Sequence, residues 1–258
     1  MRLACTSGVL TGALLDFSTS DDLSSTVING LSSPIQLGAQ IEAAATDGLV
    51  TTAGVANWGA AELVYVRNNS SAVIPGTLVH LDKDFNISTV PNTGATGRPV
   101  YVALTNFAAG STTPQGGWVL RSGMAPVKYA VAATAGAVYI SGTAGQATPT
   151  NPTGQKQIAN MSCTIPVATT FTATVIARNG SKNVRVQGTN GMFIGQAVST
   201  AGNTPIPAAS TIAAIDPSGH FITLNNAAVA SGSATGTFTM TGYGICQVDR
   251  AFVMCAVS

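Results

Sequence analysis

Two histidines, ten acidic residues and four cysteines are the groups in this 258-residue chain that could carry out chemistry. Their spacing decides which chemistry is open to them. His80 lies inside the run Thr77-Leu-Val-His-Leu81, and His220 follows the turn-forming Asp216-Pro-Ser-Gly219. Lone histidines far apart in sequence read as ordinary core or surface residues rather than as a base and its partner. No GxSxG elbow, P-loop or HExxH is present. Gly242-Tyr-Gly244 opens like a dinucleotide fingerprint, but Gln247 stands where the last glycine belongs and a strand pattern follows. Asp82-Lys-Asp84-Phe-Asn86 has the alternating oxygen ligands that begin a calcium loop. Ile87 occupies the sixth position, where that loop needs glycine, and no closing Glu follows, so the segment reads as a charged hairpin tip.

Other constellations are weaker. Paired carboxylates for glycoside hydrolysis need only converge in space, and ten acidic residues offer few such pairs. Trp58 and Trp118, with Tyr65, Tyr101 and Tyr129, could stack on sugars, although packing inside a barrel accounts for most of them. Asn68-Asn-Ser70, Asn69-Ser-Ser71 and Asn86-Ile-Ser88 match the glycosylation sequon, which matters only in a secreted chain. Cys5, Cys163, Cys246 and Cys255 show neither CxxC nor Cys/His ligand spacing. Reduced, buried thiols are the expectation for a protein made in a reducing cytoplasm. The chain is therefore expected to be no enzyme, with no catalytic, cofactor-binding or metal-ligating residues and no cofactor.

The elements that must position these residues are strands. Leu63-Val-Tyr-Val66, Thr77–Leu81, Pro99–Leu104, Trp118–Arg121, Val127–Tyr129 and Ala137–Ile140 are short runs of strand formers bounded by Gly, Pro, Asn or Asp. Their spacing predicts an antiparallel barrel or sandwich rather than βα units. A turn-rich loop, 142–154, leads to a second β-region with strands expected at 171–176, 183–187, 197–199, 211–215, 221–224 and 237–240. The closing run Ala251–Val257 is almost continuously apolar and reads as a strand buried on both faces. Before Glu62 the pattern is poorer. Ser33 as N-cap, Pro34 as first residue and Gly48 as stop suggest a short helix over Pro34–Ala45, with an arm that orders on contact as the competing reading.

Only 8% of residues are charged, against roughly a quarter in ordinary soluble domains, and the formal net charge is +1. No field steers such a chain toward nucleic acid or anionic lipid. A polar, nearly neutral surface offers little self-repulsion and suits a protein whose faces end up covered by neighbours. No run approaches the ~18 apolar residues of a membrane span. Met-Arg-Leu-Ala-Cys5 has no apolar segment ahead of its cysteine, and Gly8, Thr11 and Gly12 interrupt the one candidate signal stretch. The expectation is an ordinary cytoplasmic start.

Residues 65–158 resemble the small β-barrel of tailed-bacteriophage capsid decoration (head cement) proteins. The resemblance rests on the hairpin Ile74-Pro-Gly-Thr-Leu-Val-His-Leu-Asp82, the strand Arg98–Asn106, the loop Ala109-Gly-Ser-Thr, then Gly117-Trp-Val-Leu-Arg-Ser-Gly123 and Ala135–Ile140. The ending that the family leads one to expect is present but displaced, at Gly242–Val248 and Arg250–Val257. An insertion of residues 162–242 accounts for the displacement. Its pattern, seen in Gly191–Ser199, Ile206–Ile212 and Ile215–Asn226, resembles a module of phage surface proteins. Cys163 and Cys246 stand at its two ends, which keeps a bridge between them open as an alternative to two thiols.

The resemblance implies an all-β protein. Residues 1–61 would form an N-terminal capsid-attachment arm, 62–161 with 243–258 a barrel, and 162–242 an inserted domain projecting outward. It implies a structural protein of the virion, made in the host cytoplasm and bound to the outer capsid surface. Its partners would be the major capsid protein and copies of itself, a homotrimer foremost, with no nucleic acid or membrane. A tail or head-fibre adhesin that binds host-surface glycan is the alternative.

Overall fold

The computed structural model describes residues 2–8, 14–16, 20–23, 36–43, 61–93, 96–151, 156–167, 170–188, 192, 195–216, 220–239 and 242–256. These form an all-β protein with a single 3-10 turn at Ala201–Asn203. Among the described residues, no helix is long and apolar enough to cross a membrane. The fold divides into two compact units: one built from 168–241, the other from the described residues before and after it.

The larger unit holds β1 (Arg2–Gly8), β2 (Leu14–Asp16), β3 (Asp21–Asp22), β4 (Gln40–Ala43), β5 (Ala61–Asn68), β6 (Leu78–Leu81), β7 (Ile87–Thr89), β8 (Tyr101–Ala103), β9 (Gln115–Lys128), β10 (Gly136–Ile140), β11 (Ala147–Thr148) and β12 (Lys156–Val167). Its path runs β11-β10-β12-β19-β9-β5-β4-β1-β2, where β19 (Tyr243–Ala256) follows the smaller unit in sequence. Among the described residues the strand ladders are antiparallel, with isolated parallel bridges at Arg67–Asn86 and Tyr129–Ala147.

Strand β9 is the hub. Its first half, through Ser122, pairs with β5, and its second half, from Ser122 to Lys128, pairs with β19. The handover falls at Gly123, whose φ of +125° is open to glycine and strained for residues with a side chain. Trp118–Arg121 and Val127–Tyr129, expected as separate strands, are thereby joined, with Tyr129 just past the strand end. Val64, Val66, Val79, Ala103, Phe107 and Val119 bury one face as a core cluster, against which Phe85 and Tyr101 pack.

The smaller unit is a closed barrel in the order β13-β14-β17-β16-β15-β18. Its strands are β13 (Thr170–Ala177), β14 (Asn183–Val186), β15 (Ala197–Thr200), β16 (Ser210–Ile215), β17 (Phe221–Leu224) and β18 (Gly232–Thr239). Inward residues Val175, Val184, Val198, Ile212, Ile222, Leu224 and Phe238 alternate with outward ones, most of them polar but Ile176 and Phe221 apolar, so closure removes the edges while keeping a single core.

Three expectations change. The helix over Pro34–Ala45 is absent where the segment is described. Gly38 adopts φ +81°, outside the helical region, and Gln40–Ala43 forms β4 against β5 in the register Ile41↔Leu63. Pairing with a preformed apolar strand outweighs a weak local helix preference. The described strands within residues 1–61 are paired into the larger sheet, β4 lying on β5 and β1 on β4. Strand β12 runs through Val167, where Ser162–Val167 pair with Tyr243–Gln247, so the smaller unit begins at 168 rather than 162. The closing strand is not buried on both faces. Ala251 and Val253 are buried, while Phe252 and Met254 are 39% and 38% exposed on the other side.

Candidate functional site

Phe252, on the open face of β19, lines a cleft of about 270 Å³ together with Gly97, Pro99, Tyr101, Arg121 and Arg250, among others. Segment 97–100 builds one wall by pairing with β19: Gly97 and Val100 donate backbone N–H groups to Val253 and Ala251, and Val253 donates to Arg98. The opposite wall is set by a bulge. The β12–β19 register shifts between Ala159 and Met161, and Asn160 and Arg250 both adopt positive φ there, 57° and 50°. That turn re-aims Arg250, whose Nη2 donates to Glu62 Oε1 at 3.0 Å. Arg121 Nε lies 3.9 Å from the other Glu62 oxygen. The Glu62 carboxylate beside Arg250 raises the guanidinium's already high pKa, so its charge is permanent. Two guanidinium groups thus share one carboxylate beside an exposed aromatic ring. The arrangement can hold an anionic or aromatic group of a partner.

His80 sits near this wall but is buried at 1% exposure. Its Nδ1 lies 2.7 Å from the Pro99 carbonyl, which only a protonated nitrogen can engage, and Nε2 is buried with no partner among the described residues. Burial holds its pKa below the ordinary value of 6.5, the Pro99 bond opposes that shift, and the Arg98 charge reinforces it. A neutral ring anchored at one nitrogen positions segment 97–100; it is not a poised base. The sign of the linkage follows. The unfolded chain takes up the proton first, so the stability gained from a neutral His80 is complete above pH 6.5 and is lost as the pH falls below it. Urea midpoints should be level from pH 7 to 8 and decline below about 6.5, and His80→Gln should remove that component of the slope. A slope unchanged by the substitution would assign it to other groups.

The Asp82–Asn86 segment is a self-satisfied tip. Asp82 Oδ1 accepts from the backbone N–H of Asp84 and Asn86 at 2.8 and 2.9 Å, and Oδ2 accepts from Asn86 Nδ2 at 2.7 Å. These bonds, the Asn86 side chain first, hold the Asp82 carboxyl below its ordinary pKa. Lys83 pairs with Asp84 at the surface. Asn69 and Asn86 also line a second, polar cleft of about 310 Å³ with Ser70, Ser88 and Thr89. Buried Asn68 at its edge is fully engaged, donating to Ser71 and Ala108 carbonyls and accepting from Ser70 N–H.

Among the described residues, the structure does not bring the aromatic side chains to one sugar-stacking face. Tyr65 and Trp118 pack edge to face in the core, with centroids 5.0 Å apart, and Tyr129 is buried. Tyr101 alone of them reaches the Phe252 cleft, and Trp58 lies outside the described residues. His220 is exposed and belongs to the smaller unit, whereas His80 belongs to the larger. Cys163 and Cys246, by contrast, are brought together as direct partners in the β12–β19 ladder, both buried and not bridged. Comparison with protein-family profiles, with curated proteins and with solved structures finds no match to this chain. The Glu62–Arg121–Arg250 cluster was beyond sequence reasoning, since its members come from three strands and carry no mutual spacing.

Proposed function

We propose that this chain is a capsid decoration protein of a tailed phage, a non-enzymatic homotrimer that sits on the outer shell and bridges neighbouring major capsid protein subunits. The observation that carries the reading is the position of β19. The resemblance to decoration proteins breaks off in sequence near residue 158 and resumes at 242, yet in the fold the resumed strand lies between β12 and β9. The interrupted pattern is therefore continuous in space. Two further features support the role. With 8% charged residues, copies repel one another little, and the exposed Phe252 beside Arg121 and Arg250 gives the larger unit an apolar contact point with fixed charge at its rim. Many modest contacts on a repeating shell add up to firm attachment without any catalytic group.

Electron microscopy of intact particles tests this. The expected result is density for this chain on the outside of the shell, contacting more than one capsid subunit. Density at the tail, or none, would refute it.

One observation favours a second reading, a host-glycan adhesin. Ile176, Arg185 and Phe221 are successive cross-strand partners on the outer face of the smaller barrel, and both apolar members are exposed. That reading requires glycan binding that Phe221→Ala abolishes.

A further inference from the structure

Among the described residues, one cluster of reactive groups is left unused by the proposed role. Cys163 on β12 and Cys246 on β19 are opposite each other in an antiparallel ladder. Opposite residues project to the same side, with Cα atoms about 4.5–5.5 Å apart, inside the span of roughly 4.4–6.8 Å that a disulfide needs. Both sulfurs converge on a small buried volume. Tyr129 Oη lies 3.4 Å from Cys246 Sγ, and Cys246 Sγ donates to the Gly244 carbonyl at 3.8 Å. A Cβ built on Gly244 would come within 2.8 Å of Cys163 Sγ, so the absent side chain makes the room that the Cys163 sulfur occupies. A bulge follows at once, where the register shifts between Cys163 and Ile165.

We propose that Cys163 and Cys246 are an oxidation site, closing to a cross-strand disulfide that clamps the two chain connections of the smaller unit. The unit begins five residues after Cys163 (163 to 168) and ends five residues before Cys246 (241 to 246). A bridge here encloses the whole unit in one covalent loop. The oxidant is a small-molecule disulfide such as oxidised glutathione. One cysteine loses its proton to water and attacks the glutathione disulfide, forming a mixed disulfide and expelling a glutathione thiolate. The second, deprotonated in turn, attacks the protein sulfur of that mixed disulfide and expels the second thiolate. Two protein thiols are oxidised and one glutathione disulfide is reduced to two thiols. In the closed fold, hydrogen bonding to Cys163 and burial push the Cys246 thiol strongly up, which suppresses its thiolate. The reaction therefore proceeds through local opening of the ladder end, and the finished bridge is shielded from reduction by the same burial. The pair behaves as a slow lock, set on passage from a reducing to an oxidising medium, and not as a rapid switch. This inference is independent of the capsid reading.

The test uses the full chain, purified reduced and then held with oxidised glutathione in buffer and in urea below the unfolding transition. Expected in either condition are the loss of two hydrogens, a single linked peptide pair containing Cys163 and Cys246, and a melting midpoint raised on the order of 10 °C, restored by reductant. Cys246→Ser should lose both the linkage and the shift. Comparing the two redox forms of the unaltered chain needs no variant, so a folding defect in Cys246→Ser leaves the test intact. Two thiols that remain fully alkylatable after unfolding, linkage to Cys5 or Cys255 instead, or a bridged form that melts no higher would overturn the proposal.

Discussion

Trp118→Ala should destabilise the larger unit by about 3–5 kcal/mol, the usual cost of emptying a large buried aromatic site. Trp118 has no exposed surface and lies on β9, the strand shared by β5, β8 and β19. Its ring meets Tyr65, its cross-strand partner, at an interplanar angle of 64°. Its backbone also ties the neighbouring loop: Trp118 N–H donates to Thr105 Oγ1 at 2.9 Å, and the Trp118 carbonyl accepts from the N–H groups of Leu104 and Thr105. The cavity cannot collapse easily, because strands on both edges of β9 fix its walls. Urea unfolding followed by far-UV circular dichroism measures the loss, and Trp118→Phe should recover part of it. A loss below about 1 kcal/mol would mean that the site repacks and that the hub assignment is wrong.

Phe238→Ala acts on the other unit. Phe238 is wholly buried on β18, between β13 and β15, among Val175, Val198, Ile222 and Leu224. The cost is again about 3–5 kcal/mol. A unit of 74 residues (168 to 241) has a total stability of roughly 4–11 kcal/mol, so the substitution consumes much of it. Limited proteolysis read by mass spectrometry should show cleavage confined to 168–241, with the larger unit left intact. Cleavage spread evenly over the chain would show that the two units unfold as one.

Where the sequence spoke clearly, alternation carried the information. Ala137–Ile140 and Phe221–Leu224 lie in strands that alternate buried and more exposed residues, while Leu63–Val66 is a short run of strand formers buried on both faces. Strand β12 was not legible. Lys156-Gln-Ile-Ala-Asn160 and Ser162-Cys-Thr164 are too polar and too interrupted by bulges to keep a period, and their pairing is supplied by β19, some eighty residues later in the chain. The Pro34–Ala45 segment failed for the opposite reason. Its caps suit a helix, but what decides its structure is the neighbouring β5, which local signals do not contain. The site follows the same division. The resemblance placed Cys163 and Cys246 at the two ends of an insertion, but only the ladder shows that they face each other. That His80 would be buried, and that Arg250 would reach across 188 residues to Glu62, depend on contacts between distant segments.

The way β12 and β19 leave the larger unit also has a mechanical meaning. Val167 and Tyr243 are paired with each other, so tension on the 168–241 segment would enter both strands at the same end of the ladder. Load in that direction separates rungs one after another, at a far lower force than shearing them together. Peeling as far as the Cys163–Cys246 rung would release seven residues (164–167 and 243–245), about 24 Å of extended chain, before the deeper rungs carry strain. The ladder end is a compliant tether, able to yield under a passing pull and to zip closed again while the sheet behind it stays intact.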